Sequence, residues 1–227
     1  MENVNSIAPW SFSKAKAFET CPKQFYHVKI LKEHPEIETD AMRYGSLMHE
    51  AAEKYIRDKE PLPEGFKYMQ NALDALASFK GEKLCEFKMG LTDRLEPCGF
   101  FADNVWWRGI ADLVILDTEK HRARVVDYKS GKSARYADKG QLELMALAIF
   151  AHFPVVQEVK AGLMFVVCNQ LIKDKYTRRD QSWLWDKWMG TYTRMTSAME
   201  NEVWNANPSG LCRNHCPVTE CVHNGRN

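Results

Sequence analysis

The sequence predicts an α/β (mixed α+β) fold, a central mixed sheet flanked by helices on both faces. Three observations carry this expectation. The hydrophobic period turns from helical to strand-like near Leu84 and stays so as far as Tyr128. A largely apolar helix then fills 137–153, and the near-continuous apolar run Val159–Cys168 has the pattern of a strand buried on both faces. A strand, a crossover helix and a second strand in that order imply a right-handed parallel unit beside the antiparallel strands that precede it.

The elements follow in order. Ser11 or Ser13 is a candidate N-cap for a helix through Cys21, and Pro22 kinks or restarts it before Lys23–Val28. Phe18, Cys21 and Phe25 share a face. Residues 33–41 form a polar loop. Gly45–Ile56 is strongly helical, with Gly45, His49 and Glu53 spaced by four residues, and His49 pairs with Glu53 in the simplest reading. A helical Gly costs about 1 kcal/mol against Ala, so Gly45 implies a packing or access reason. Pro61–Gly65 is a turn. Phe66–Lys83 is read as a helix with Tyr68, Leu73, Leu76 and Phe79 on its apolar side. Strands follow at Leu84–Leu91, Cys98–Phe101 and Val105–Leu116, with a turn at Asp103–Asn104 between the last two. They continue as a meander into Val125–Lys129. Asp180–Asn205 is a long Trp-rich amphipathic helix, and the tail from Cys212 to His223 is cysteine-rich.

Composition sets the class. The 227 residues suffice for one large domain or two small ones, each with a core. Hydrophobic residues are 45% and charged residues 27%, as in ordinary soluble domains. A net charge of +1 argues neither for nor against nucleic acid, because a local basic groove is invisible in a total. No apolar run reaches membrane-spanning length, and Met1–Ser6 lacks the pattern of a signal peptide. A cytoplasmic location is expected, where the 7 cysteines favour metal or cluster ligation over disulfides.

Three stretches carry chemistry. Val125–Lys132 is a buried strand that runs into charge and then a turn; Asp127 and Lys129 share a face, about 7 Å apart along the strand. Asp112 sits among apolar residues in the neighbouring strand, and a buried carboxylate needs a partner or a metal. An ordinary surface Asp/Lys pair and an edge-strand Asp are the plain alternatives. Gly131-Lys132-Ser133 is not a phosphate loop, since Val126 stands where its first Gly is needed. His49-Glu50 is not a zinc-protease motif, since Glu53 replaces the second His. Cys212, Cys216 and Cys221 crowd a short tail and point to a four-ligand metal or cluster site, completed by His215, His223 or a remote Cys; zinc and iron–sulfur both remain open.

Taken together these residues resemble the PD-(D/E)XK nuclease superfamily, in particular its RecB-like and Cas4-like exonucleases, phage-encoded members included. The opening Ser11-Phe12-Ser13 with Phe18, Cys21-Pro22 and Phe25-Tyr26 resembles one family segment, and Gly45-x3-His49 resembles another. Gly109–Asp112 followed by Asp127-Tyr128-Lys129 resembles the split Asp…(D/E)-x-K core, and Gln141 begins a Q-x-x-x-Y motif in which Met145 replaces the tyrosine. The resemblance implies a restriction-endonuclease-like sheet in one nuclease domain over 1–227, with its core at 84–168. It implies a helical iron–sulfur subdomain of 1–32 and 206–227, in which Cys21, Cys212, Cys216 and Cys221 bind a [4Fe–4S] cluster, with Zn²⁺ the alternative. Closing that loop of about 190 residues would stabilise the fold by roughly 5 kcal/mol in the chain-entropy account. It further implies Mg²⁺ or Mn²⁺ held by His49, Asp112, Asp127 and the Tyr128 carbonyl, catalytic roles for Asp112, Asp127, Lys129 and Gln141, support of His49 by Glu53, and a weaker outer contact from Glu86.

The activity so implied is hydrolysis of DNA phosphodiesters at single strands or duplex ends, in recombination, repair or phage DNA processing. Lys14, Lys16, Lys23, Lys132 and Arg135 would line the strand's passage. The alternative is a non-cleaving nucleic-acid-binding or assembly protein that keeps the fold; a third reading is a zinc-ribbon-tailed adaptor.

Overall fold

A computed structural model describes residues 7–34, 38–135 and 137–226. Part of the loop expected over 33–41, residues 35–37, lies outside them. The chain clusters into two compact units, 38–184 and a unit made of 1–37 with 185–227. No helix among the described residues is long and apolar enough to cross a membrane.

In the 38–184 unit, helix α3 (Asp40–Arg57) starts at Thr39, whose hydroxyl accepts from the Met42 N–H. A 3₁₀ turn over Glu64–Met69 leads into α4 (Gln70–Ser78), a shorter helix than the 66–83 expected. Strand β1 (Glu82–Leu91) follows directly, and Phe79 caps α4 in an extended conformation. Leu73 and Leu76 are buried as anticipated, whereas Tyr68 and Phe79 are exposed. Four further strands were foreseen in outline: β2 (Pro97–Cys98), β3 (Trp107–Asp117), β4 (Arg122–Lys129) and β5 (Glu158–Phe165), with α5 (Gly140–His152) before the last. The edge strand β6 (Gln170–Thr177) was not foreseen.

The sheet order is β2-β1-β3-β4-β5-β6. β4 and β5 are parallel and every other pairing is antiparallel, so the sheet is mixed. The expected hairpin across Asp103–Asn104 does not form. β2 is only 2 residues long and pairs with β1, not β3. The chain turns at Gly99–Ala102, so Phe100 and Phe101 never enter the sheet. A Cβ at Gly90 would lie 2.7 Å from the Gly99 carbonyl oxygen, so the β1–β2 approach requires glycine there.

Helices α3 and α4 cover one face, with Met48, Ala52, Ile56, Leu73 and Leu76 packed on Leu113, Ile115, Val126 and Tyr128. Helix α5 packs against β1, β4 and β5. It is buried almost all round, which suits its unbroken apolar character.

The other unit opens with α1 (Phe12–Thr20), capped by Ser11, whose hydroxyl accepts from the Lys14 N–H. Helix α2 (Pro22–Phe25) restarts at Pro22 and widens into a π-helical segment over Tyr26–Ile30. The long helix α6 (Gln181–Glu200) begins in the sheet unit and contributes residues from Trp185 onward to this one. The aromatic core includes Phe18 and Phe25, edge to face at 5.8 Å, and Trp204 stacked on Tyr26 at 4.9 Å.

Candidate functional site

The β3–β4 ladder places the carboxylates. It pairs 113–117 with 122–126 and then stops. Asp112 and Asp127 are the next residues on each strand, so both sit where the two strands part. The parting frees the Tyr128 N–H, and Asp112 Oδ2 accepts it at 2.6 Å. Beyond this point β4 keeps its pairing with β5 as far as Lys129. The Asp127–Lys129 stretch is therefore held from one side while it opens on the other.

Asp127 is buried. Lys129 Nζ lies 2.7 Å from Asp127 Oδ2, yet off the direction a hydrogen bond needs, so that oxygen keeps unfilled acceptor capacity. Gln141, in the first turn of α5, bridges the pair. Its Nε2 donates to Asp127 Oδ1, and its Oε1 accepts from Lys129 Nζ at 2.9 Å. Burial, reinforced by the charge of Asp112 and opposed by Lys129, raises the Asp127 carboxyl from 3.8 to about 6.

His49 reaches the site from α3. Its Nδ1 stands 3.3 Å from Asp112 Oδ1, and its ring meets Tyr128 edge-on at 6.0 Å. Burial lowers its pKa, but the hydrogen bond and charge of Asp112, with Asp127 and Glu86, outweigh that and raise it. Glu86 on β1 stands opposite Asp112 on β3, since its neighbours Cys85 and Phe87 pair with Leu113 and Ala111. It adopts φ 48°, a left-handed conformation unusual for a strand residue. Burial and the charge of Asp112 raise its pKa. Ligand atoms of His49, Glu86 and Asp112 all lie within 4.8 Å of one another.

The expected pairing of Glu53 with His49 is not what the structure brings together. Glu53 forms an ion pair with Arg57, one turn on. It lines the same open cleft, of about 720 Å³, together with Gly45, His49, Glu50, Glu86 and Ser130. A Cβ at Gly45 would meet only Ser130 Oγ, at an ordinary 3.5 Å. Gly45 thus opens the cleft wall; no close packing demands it.

The donor set suits a hard divalent cation: carboxylates of Asp112, Asp127 and Glu86, one imidazole, and an Asp127 oxygen with acceptor capacity to spare. Mg²⁺ or Mn²⁺ fits such oxygen-rich sites, and the imidazole is compatible with Mn²⁺.

A second constellation lies in the other unit. Cys21, between α1 and α2, lines a small cavity with Cys212, Cys216 and Cys221. His223 lines it too. The backbone N–H groups of Asn207 and Ser209 donate to the sulfurs of Cys21 and Cys212, each at 3.4 Å. Burial raises the Cys216 thiol, a Val218 N–H opposes that, and the three other thiols reinforce it. No disulfide joins the described cysteines. Asn224 ties the tail together by donating to the carbonyls of Cys216 and Val218 at 3.1 and 2.9 Å.

Comparison with known proteins agrees with the fold. A family model described as "PD-(D/E)XK nuclease superfamily" matches residues 9–221. A solved structure described as "Putative exonuclease" from Eubacterium rectale aligns with a TM-score of 0.55 at 12% identity, over 95% of this chain and 90% of that one. A second, described as "SSO0001", aligns with a TM-score of 0.45 at 11% identity, over 95% of this chain and 86% of that one. No curated protein matches.

Proposed function

The chain belongs to the PD-(D/E)XK nuclease superfamily, and from that premise we propose that it is a Mg²⁺- or Mn²⁺-dependent deoxyribonuclease. It acts as an exonuclease of the RecB-like and Cas4-like kind on single strands or duplex ends. The observation that carries this reading is the junction where β3 and β4 part, which sets Asp112, Asp127, Lys129, Gln141 and His49 around one point.

Asp112, Asp127, His49 and the Tyr128 carbonyl oxygen would hold the cation, with Glu86 beside them. The bound cation supplies a Lewis acid for the phosphate and lowers the pKa of a coordinated water. Lys129 places its ammonium at the carboxylate edge, where it orients the attacking water and offsets charge developing on the phosphate. Gln141 fixes Lys129 and Asp127 relative to one another, because its amide oxygen faces the ammonium and its amide nitrogen the carboxylate. The cleft favours cation dependence on charge grounds: Glu86 lines it beside Asp112, and a polyanion approaches such carboxylates more readily through a bridging cation.

The four cysteines fit a structural [4Fe–4S] cluster, with Zn²⁺ the alternative. Support comes from four thiols lining one cavity and from backbone N–H groups aimed at two of their sulfurs, a feature that tunes iron–sulfur sites. Exonuclease action draws further support from the name of the structural neighbour.

The test is cleavage of end-labelled single-stranded DNA with Mg²⁺ or Mn²⁺. Lys129→Ala and Asp127→Ala should each abolish cleavage while circular dichroism stays native. Full activity in either variant, or an inactive wild type that still binds DNA, refutes the assignment; the latter result favours a binding or assembly role.

A further inference from the structure

We propose that His27, Glu33, His34 and Glu220 form a second metal site, for a zinc-like divalent ion, separate from the nuclease centre and from the cysteine cavity. One ligand atom from each of the four lies within 4.8 Å of all the others. His27 comes from the π-helical segment, Glu33 and His34 from the turn that follows it, and Glu220 from the C-terminal tail. The site therefore joins stretches 186 residues apart within one unit.

Two of the spacings match the edges of a tetrahedral ion site. Zinc takes nitrogen and oxygen ligands at about 2.0–2.2 Å, so neighbouring ligand atoms of a tetrahedron stand about 3.4 Å apart. His27 Nδ1 lies 3.3 Å from Glu220 Oε1, and His34 Nε2 lies 3.4 Å from the same oxygen. Both contacts are long for hydrogen bonds to a carboxylate but right for edges of that tetrahedron. The third contact, His27 Nδ1 to Glu33 Oε2, is a hydrogen bond of 2.7 Å that would widen by about 0.7 Å to reach the same edge.

Charge points the same way. Two carboxylates, Glu33 and Glu220, converge on the same imidazole nitrogen, and a dication there would balance both. Nδ1 of His27 carries at most one proton, so it cannot donate to Glu33 and Glu220 together.

The backbone shows how the chain brings these groups together. Lys32 adopts φ 57°, a left-handed conformation unusual for a non-glycine residue. It turns the chain back so that the Glu33 N–H donates to the His27 carbonyl at 3.1 Å and Glu33 and His34 come against His27. A strained turn beside a π-helical segment is the kind of local geometry that recurs at ligand sites. Two imidazoles with two carboxylates are a borderline donor set. Such a set selects Zn²⁺, Co²⁺ or Ni²⁺ over Mg²⁺.

Co²⁺ titration of the full chain under excess Mg²⁺ tests the proposal, because Mg²⁺ occupies the oxygen-rich centre while Co²⁺ reports its own coordination. The expected result is a visible tetrahedral band that saturates at one Co²⁺ per chain, shows no thiolate-to-cobalt charge transfer, and is displaced by Zn²⁺. His34→Ala and Glu220→Gln should each weaken binding by about tenfold or more, since loss even of a supporting group around a metal costs that much. Glu33→Gln, a half-exposed change that leaves the packing alone, should weaken it too. The proposal is overturned by absence of the band, by an equal band in the His27→Ala/His34→Ala double variant, or by a charge-transfer band that Cys216→Ser removes and the histidine variants leave.

Discussion

Asp127→Asn should abolish cleavage and yet stabilise the metal-free protein. The Asp127 carboxyl titrates near 6 in the folded chain against 3.8 for an ordinary aspartate, because burial and Asp112 disfavour its charge more than Lys129 favours it. The folded state therefore holds this proton more tightly than the unfolded state, and stability falls as pH rises between those two values. At 1.36 kcal/mol per unit, the penalty grows from under about 1 kcal/mol at pH 4 to about 3 kcal/mol above pH 7. Asparagine keeps the shape and can still accept from Gln141 Nε2, but it carries no charge. Lys129 is partly exposed and retains Gln141 Oε1, so it is not stranded. In EDTA at pH 8 the variant should melt higher by roughly 6–12 °C, and the gap should shrink toward pH 4. Saturating Mg²⁺ or Mn²⁺ should raise the melting point of the wild type and move the variant little, because only the wild type offers the full anionic ligand set. Paired melting curves across pH, with and without metal, make the check. A melting difference that does not change with pH, or a variant that still cuts DNA, refutes the reasoning.

Gln141→Ala should lower kcat by roughly 10- to 100-fold while the fold persists, since it loosens Lys129 against Asp127 rather than removing either; single-turnover cleavage measures it. Gly90→Ala should destabilise by about 1–3 kcal/mol, because the new Cβ would lie 2.7 Å from the Gly99 carbonyl oxygen and 3.0 Å from that of Cys98; urea denaturation reads the loss. Cys216→Ser should remove the absorbance near 400 nm of an anaerobic preparation if the cavity holds an iron–sulfur cluster, whereas a colourless wild type containing zinc by elemental analysis would reverse that assignment.

What the sequence made legible was local. The apolar run into Asp127 and Lys129 declared its strand, and the helix–strand order declared the parallel crossover, because both are written within a few dozen residues. What it hid was set by register and by distant partners. β6 escaped notice because Lys173, Asp174 and Lys175 interrupt its period, as charges on an edge strand do. Glu53 looked like a partner for His49 from spacing alone, but on a helix Arg57 is as near, and a full charge attracts the carboxylate more strongly than an imidazole does. Glu86 gave no periodic signal and entered only as an outer contact implied by the family resemblance; its place opposite Asp112 follows from the β1–β3 register, and its left-handed backbone shows only in three dimensions. The same logic explains why Asp112 and Asp127 are a pair at all. Neither residue type nor spacing marks the point where β3 and β4 separate. That point is fixed by how far Leu113 and Val126 extend the packed ladder. One further ladder pair would bring the two carboxylates into the sheet as opposed like charges and leave no room between them for a cation. The junction is thus a compromise between strand pairing, which favours zipping onward, and charge repulsion, which favours parting. A group that neutralises the carboxylates relieves the repulsion without closing the gap.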